Sequence, residues 1–124
     1  MQTISPLYDR LLRILDEIPS RTIAVVGDLI ADEFLYGQTA RVSREAPVLV
    51  LQYRELVRLP GGAANAANNL LDLGCRVRVV GFVGQDPSGG ALAGMLADKG
   101  AAMSGVRVVK SYATPVKTRI LAGA

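Results

Sequence analysis

The chain has 124 residues, with 14 Lys or Arg against 11 Asp or Glu for a net charge of +3; half of its residues are hydrophobic and 5% are aromatic. That length and hydrophobic share give one domain with a core of its own and exclude a disordered chain. With no histidine and a single cysteine, Cys75, the sequence excludes a Ser-His-Asp triad, a Cys–His pair, a His-ligated metal, a cysteine-rich zinc site and an internal disulfide.

In chain order, Leu7, Leu11, Leu12, Leu15 and Ile18 recur at helical spacing. Ser5 is placed as N-cap, Pro6 suits the first helical position, and Pro19 ends the run. This predicts a helix packed at the edge of a core. Thr22 to Val26 reads as a strand buried on both faces of its sheet and stopped by Gly27-Asp28. From Asp32 to Pro60 the texture changes: Gly37, Pro47 and Pro60 punctuate mixed apolar and polar residues, which predicts short antiparallel strands projecting from the main sheet. Gly61-Gly62 opens a helix that ends at Gly74, a good residue just past a helix C-terminus. A strand follows over 76–83. Asp86 as N-cap and Pro87 then start a helix that runs to Gly100. Further strands are placed at 106–109 and 116–121. The order predicts an α/β sandwich with a mostly parallel sheet.

The charge is unevenly spread: −3 over residues 1–40, +1 over 41–75 and +5 over 76–124. The basic residues are scattered singly and aromatics are few, so no nucleic-acid partner is expected. Acids and arginines interrupt the first helix as a secretory core, and no apolar run reaches the roughly 18 residues that span a bilayer. No membrane partner is expected, and a cytoplasmic location is the default.

Two phosphate-binding patterns fail. There is no G-x-x-x-x-G-K-[ST], and the first strand ends in GDLIAD rather than G-x-G-x-x-G. The informative stretch is PGGAANAANNLLDLGCRVRVVGFVG, residues 60–84. Two glycines let backbone approach a ligand closely, and the helix behind them aims N–H groups at the same spot. Asn65 offers a donor and an acceptor suited to a sugar hydroxyl. The same residues also read as a plain turn followed by a solvent-facing Asn.

G-G-A-A-N-A-A at 61–67, a glycine after six further residues (Gly74) and another after nine more (Gly84) resemble the N-terminal signature of the ribokinase family, the PfkB carbohydrate kinases. GDLIAD (27–32) is similar to that family's first strand and turn, and Gly84, Asp86 and Gly89 form its G-x-D-x-x-G. FLYGQTARVSREAPVLVLQ, LPGGAANAANNL and TPVKTRILAG look like the branch that phosphorylates D-glycero-D-manno-heptose 7-phosphate at its anomeric hydroxyl. The likeness covers roughly residues 20–123.

The resemblance implies a ribokinase-like three-layer α/β sandwich, of which residues 1–124 are the N-terminal part, with a β-strand lid inserted at 33–60. It implies that Asp32 accepts hydrogen bonds from the sugar hydroxyls, with Gly61, Gly62 and Asn65 lining the same sugar. Arg41 with Arg44, or Lys117 with Arg119, would reach a sugar phosphate; each pair also reads as surface charge that keeps a lid or edge strand soluble. Asp86 is better explained as a helix cap than as a catalytic group. Asp28 either serves the site or closes the turn, and Cys75 reads as a small buried hydrophobe. A homodimer through the lid is implied, with Val48 to Leu51 suited to edge pairing.

For the complete enzyme the family implies ATP and magnesium, with a catalytic aspartate in a later G-A-G-D motif. These 124 residues contain no GAGD and no identifiable ATP site. By themselves they are expected to bind a sugar phosphate weakly and to transfer no phosphate. Two alternatives stand beside this reading: a non-catalytic sugar-binding or dimerising module, and a PfkB kinase for a different sugar.

Overall fold

The computed structural model describes residues 6–123. Helix α1 (Pro6–Glu17) passes through a 3₁₀ turn (Ile18–Ser20) into strand β1 (Thr22–Val26). The paired strands β2 (Leu29–Val42) and β3 (Leu49–Gly62) follow, then α2 (Ala63–Asp72), β4 (Arg76–Gly84), α3 (Pro87–Asp98), β5 (Ala102–Val109) and β6 (Val116–Gly123). Among the described residues, no helix is long and apolar enough to cross a membrane.

Pro6 does open α1, while Ser5, its expected cap, lies outside the described residues. The expectation that α1 packs on a core does not hold: none of its residues is buried, and Leu7, Leu11 and Leu15 are at least half exposed. Its amphipathic stripe marks a face that nothing in residues 6–123 covers. Periodicity reports that a face is apolar, not what meets it.

β1, β4 and β5 form a parallel sheet in the order β1-β4-β5. Helices α2 and α3 cover one face. Val25, Val77, Val79 and Val83 meet Ala64, Ala67, Leu92 and Leu96 there, and Cys75 is a free, buried thiol at the rim. Each of the fully buried Val and Leu side chains contributes about 1.5–3 kcal/mol. The opposite face is open, with Val26 73%, Phe82 58% and Val108 64% exposed. β1 was expected to be covered on both sides; it alternates instead, Val25 inward and Val26 outward. A β-branched run records strand propensity whether one face is covered or two.

The second sheet has the order β3-β2-β6. β2 and β3 are 14 residues each, not short strands, and pair antiparallel from Leu29↔Gly62 to Val42↔Leu49. Register shifts at Tyr36/Gly37 and Thr39/Arg41 break the period of two, which is why the sequence looked punctuated. Pro60 is tolerated because β3 is an edge strand. Its partner Ala31 sends its own N–H the other way, to the Pro115 carbonyl at 2.8 Å, so the N–H that proline lacks would have pointed away from β2.

β6 lies parallel to β2, from Ala31↔Val116 to Gln38↔Gly123, and so joins the hairpin rather than the parallel sheet. A polar staple fixes that choice. Asp86 Oδ1 accepts from Gly89 N at 2.7 Å and caps α3, while its Oδ2 accepts from Thr114 N at 2.8 Å. The buried Thr114 hydroxyl in turn accepts from Gly84 N at 2.8 Å. The chain that enters β6 is thereby tied to the start of α3.

Candidate functional site

β1 ends at Gly27-Asp28, the carboxyl end of a parallel strand, where α/β folds place ligands. The Asp28 carbonyl accepts from Ala63 N at 2.9 Å, which draws the start of α2 onto that end. Such proximity demands Gly62. It has φ +57°, and a Cβ there would lie 2.6 Å from the Asp28 carbonyl oxygen. Asp28 thus acts through its backbone, closing the turn.

Four residues on, the β2–β3 ladder builds the face around Asp32. In register, Asp32 stands between Leu59 and Lys117, Phe34 between Val57 and Arg119, and Ile30 beside Gly61. By the period of two, Asp32, Phe34, Gly61, Lys117 and Arg119 share one face of the sheet. The other face carries Glu33, whose Oε1 accepts from Arg58 Nε at 2.9 Å and Nη2 at 2.7 Å and whose Oε2 accepts from Thr118 Oγ1 at 3.3 Å.

Gly61 matters for its missing side chain: a Cβ there would lie 2.8 Å from Asp32 Oδ2. Asp32 Oδ1 accepts from Arg119 Nη1 at 3.1 Å, and that guanidinium sits 5.0 Å from the centre of the Phe34 ring. The Asp32 side chain is 25% exposed and that of Arg119 39%, so the pair is reachable from solvent. Asn65 is exposed on the first turn of α2, three residues after Gly62, while Ala64 and Ala67 face the core. Asp86 is engaged in the α3 cap and the Thr114 staple, as the helix-cap reading had it.

The two basic pairs part company. Lys117 and Arg119 belong to the Asp32 face. Arg41 pairs with Val50 near the tip of the hairpin and Arg44 lies in its turn; nine residues of strand put Arg41 about 30 Å from Asp32. Within one chain, Arg41 and Arg44 do not join this site. Phe34 escaped the sequence reading. Its place two residues after Asp32 was a usable signal, but the Arg119 above it depends on the β2–β6 register. Thr114 gave no signal. Among the described residues no group of three His, Cys, Asp or Glu side chains is placed to hold a metal.

This arrangement defines the class: a ribokinase-like α/β fold. A carbohydrate kinase from Agrobacterium tumefaciens superposes with a TM-score of 0.68 at 27% identity, over 82% of this chain and 32% of that one. A fructokinase with bound ATP from Xylella fastidiosa gives 0.61 at 25% identity, over 82% and 30%. Residues 20–124 match the pfkB family carbohydrate kinases, and the chain belongs to that family. The bifunctional protein HldE of Geobacter metallireducens is 50% identical over 99 residues, 79% of this chain and 20% of that protein. HldE of Helicobacter pylori strain J99 is 45% identical over 102 residues, 82% and 22%. The chain spans about a fifth of these curated relatives and about a third of the solved kinases.

Proposed function

We propose that residues 20–123 form the sugar-recognition part of an ATP-dependent kinase that phosphorylates D-glycero-D-manno-heptose 7-phosphate at its anomeric hydroxyl. The observation that carries this reading is the Asp32–Gly61 pair, a carboxylate kept accessible by an absent side chain, in a chain of the PfkB family. The Asp32 carboxylate would accept two sugar hydroxyls, and charge-assisted bonds of this kind are about twice as strong as neutral ones. Gly61 and Gly62 bring backbone to the sugar, and Asn65 supplies a donor and an acceptor beside it. The choice of heptose rests on the likeness of the hairpin, of LPGGAANAANNL and of TPVKTRILAG to that branch, together with the HldE relatives.

In this reading the β2–β3 hairpin covers the bound sugar and excludes water, which limits wasteful hydrolysis of the donor. ATP as donor is supported by the fructokinase solved with ATP and by a Cryptococcus neoformans ribokinase in complex with ADP. Magnesium would accompany ATP, and the described residues provide no three-ligand site of their own for it. No acid of these 124 residues lies in a GAGD motif, so we assign the proton-accepting base to none of them. The enzyme is placed in the cytoplasm, with the hairpin as the contact of a homodimer.

A coupled assay of ADP release tests the proposal. A kinase carrying this chain turns over heptose 7-phosphate, and Asp32→Ala lowers kcat/KM at least about 100-fold, in keeping with the loss of a positioned charge-assisted contact. The 124 residues alone release no ADP above background. Unchanged turnover in Asp32→Ala, or turnover by the isolated chain, contradicts the reading.

A further inference from the structure

The Arg119–Asp32 ion pair lies on the face that the sugar would use, so any sugar bound by Asp32 must compete with a guanidinium already there. We propose that Arg119 is the residue that restricts this site to phosphorylated sugars, by exchanging its Asp32 partner for the sugar's phosphate while staying over the Phe34 ring. This rests on the reading of Asp32 as the hydroxyl acceptor.

Paired and unpaired charge set this preference. A neutral sugar that takes Asp32 Oδ1 leaves the half-buried guanidinium without its carboxylate, which is unfavourable where water only partly replaces it. A sugar phosphate gives the guanidinium a new anionic partner, two of whose oxygens can accept from the fork of N–H groups. Phe34 keeps the guanidinium in place during the exchange: the 5.0 Å stacking does not depend on which anion the N–H groups meet. Lys117 adds a second cation. It stands beside Asp32 in register on the same face and forms no salt bridge among the described residues. With Arg41 and Arg44 about 30 Å along the hairpin, the cations that the described residues of one chain bring to the Asp32 face come from β6.

The test is calorimetric titration of the purified protein with D-glycero-D-manno-heptose 7-phosphate and with the same heptose lacking phosphate. The wild type prefers the phosphorylated sugar. Arg119→Gln weakens the phosphorylated sugar about 10- to 100-fold and leaves the neutral one unchanged or tighter, so the preference collapses. Lys117→Gln acts in the same direction, more weakly. Parallel weakening of both sugars by Arg119→Gln overturns the proposal, because Arg119 then only supports Asp32; no change in either overturns it too. Asp32→Asn separates the two levels. Loss of both sugars keeps the site reading whatever Arg119 does, whereas wild-type binding of both defeats the site reading and this inference together, as does a wild type that binds neither. If Arg119→Gln melts early, Arg119→Lys serves instead: it keeps the charge, loses the fork, and is expected to retain only part of the preference.

Discussion

Asp32 and Asp86 show how one residue type serves two ends. Asp32 carries a carboxylate that Gly61 leaves room for and that a side chain, Arg119, holds from one side only. Asp86 is committed to backbone: N–H groups of Gly89 and Thr114 occupy both its oxygens. Those donors, Thr114 first and then Gly89, favour the ionised form and hold the Asp86 carboxyl below its ordinary value of 3.8. A group depressed in the folded state adds stability above its unfolded value and loses it as pH falls through the folded one. Urea unfolding between about pH 5 and pH 2 should therefore show an acid-side loss of stability that Asp86→Asn lacks in part. An identical acid slope in the two proteins contradicts the staple. The cap was legible from Asp86-Pro87; the second bond, to Thr114 some 28 residues away, depends on tertiary structure that no local spacing encodes.

At the scale of elements, what the sequence revealed were local signals. The α3 cap, the Gly-Gly start of α2, Gly74 after it and the β1 run all lie where spacing and residue type put them. The misjudged parts depend on partners. α1 has the right period and no core beneath it; β1 has the right residues and one covered face; β2 and β3 have bulges that disguise their length. The hairpin also carries a consequence for assembly. Val42, Val48, Leu49 and Tyr53 are each more than half exposed toward its tip, on or beside the edge strand β3. An apolar edge of this kind is open to pairing with a second copy. Sedimentation of the wild type should show a dimer, and Val48→Asp should shift it to monomer without changing the circular dichroism spectrum. A wild type that is monomeric at high concentration contradicts the lid-dimer reading.

On the scale of the whole molecule, the two three-stranded sheets meet where β1 ends and β2 begins, and the glycines at 61 and 62 bind that junction to α2. Among the described residues one helical layer covers the parallel sheet, and the open face shows Val26, Phe82 and Val108. The family was legible because its signature is a run of backbone requirements, glycines at fixed intervals, which the chain keeps in one short stretch. Half of the candidate site was legible for the same reason: Asp32, Gly61, Gly62 and Asn65, which the structure gathers near one sheet face, belong to motifs. The other half was not, because the choice between Arg41 with Arg44 and Lys117 with Arg119 turns on strand register. The place where a sugar phosphate touches the chain decides between a working Asp32 face and none. Backbone amide shifts of the ¹⁵N-labelled protein, followed by NMR during titration with heptose 7-phosphate, read that directly. Perturbations centred on Asp32, Gly61, Gly62, Asn65, Lys117 and Arg119 are expected. Shifts confined instead to the opposite end of the parallel sheet, around Arg76, Arg78 and Lys99, with the Asp32 face unmoved, would contradict that placement.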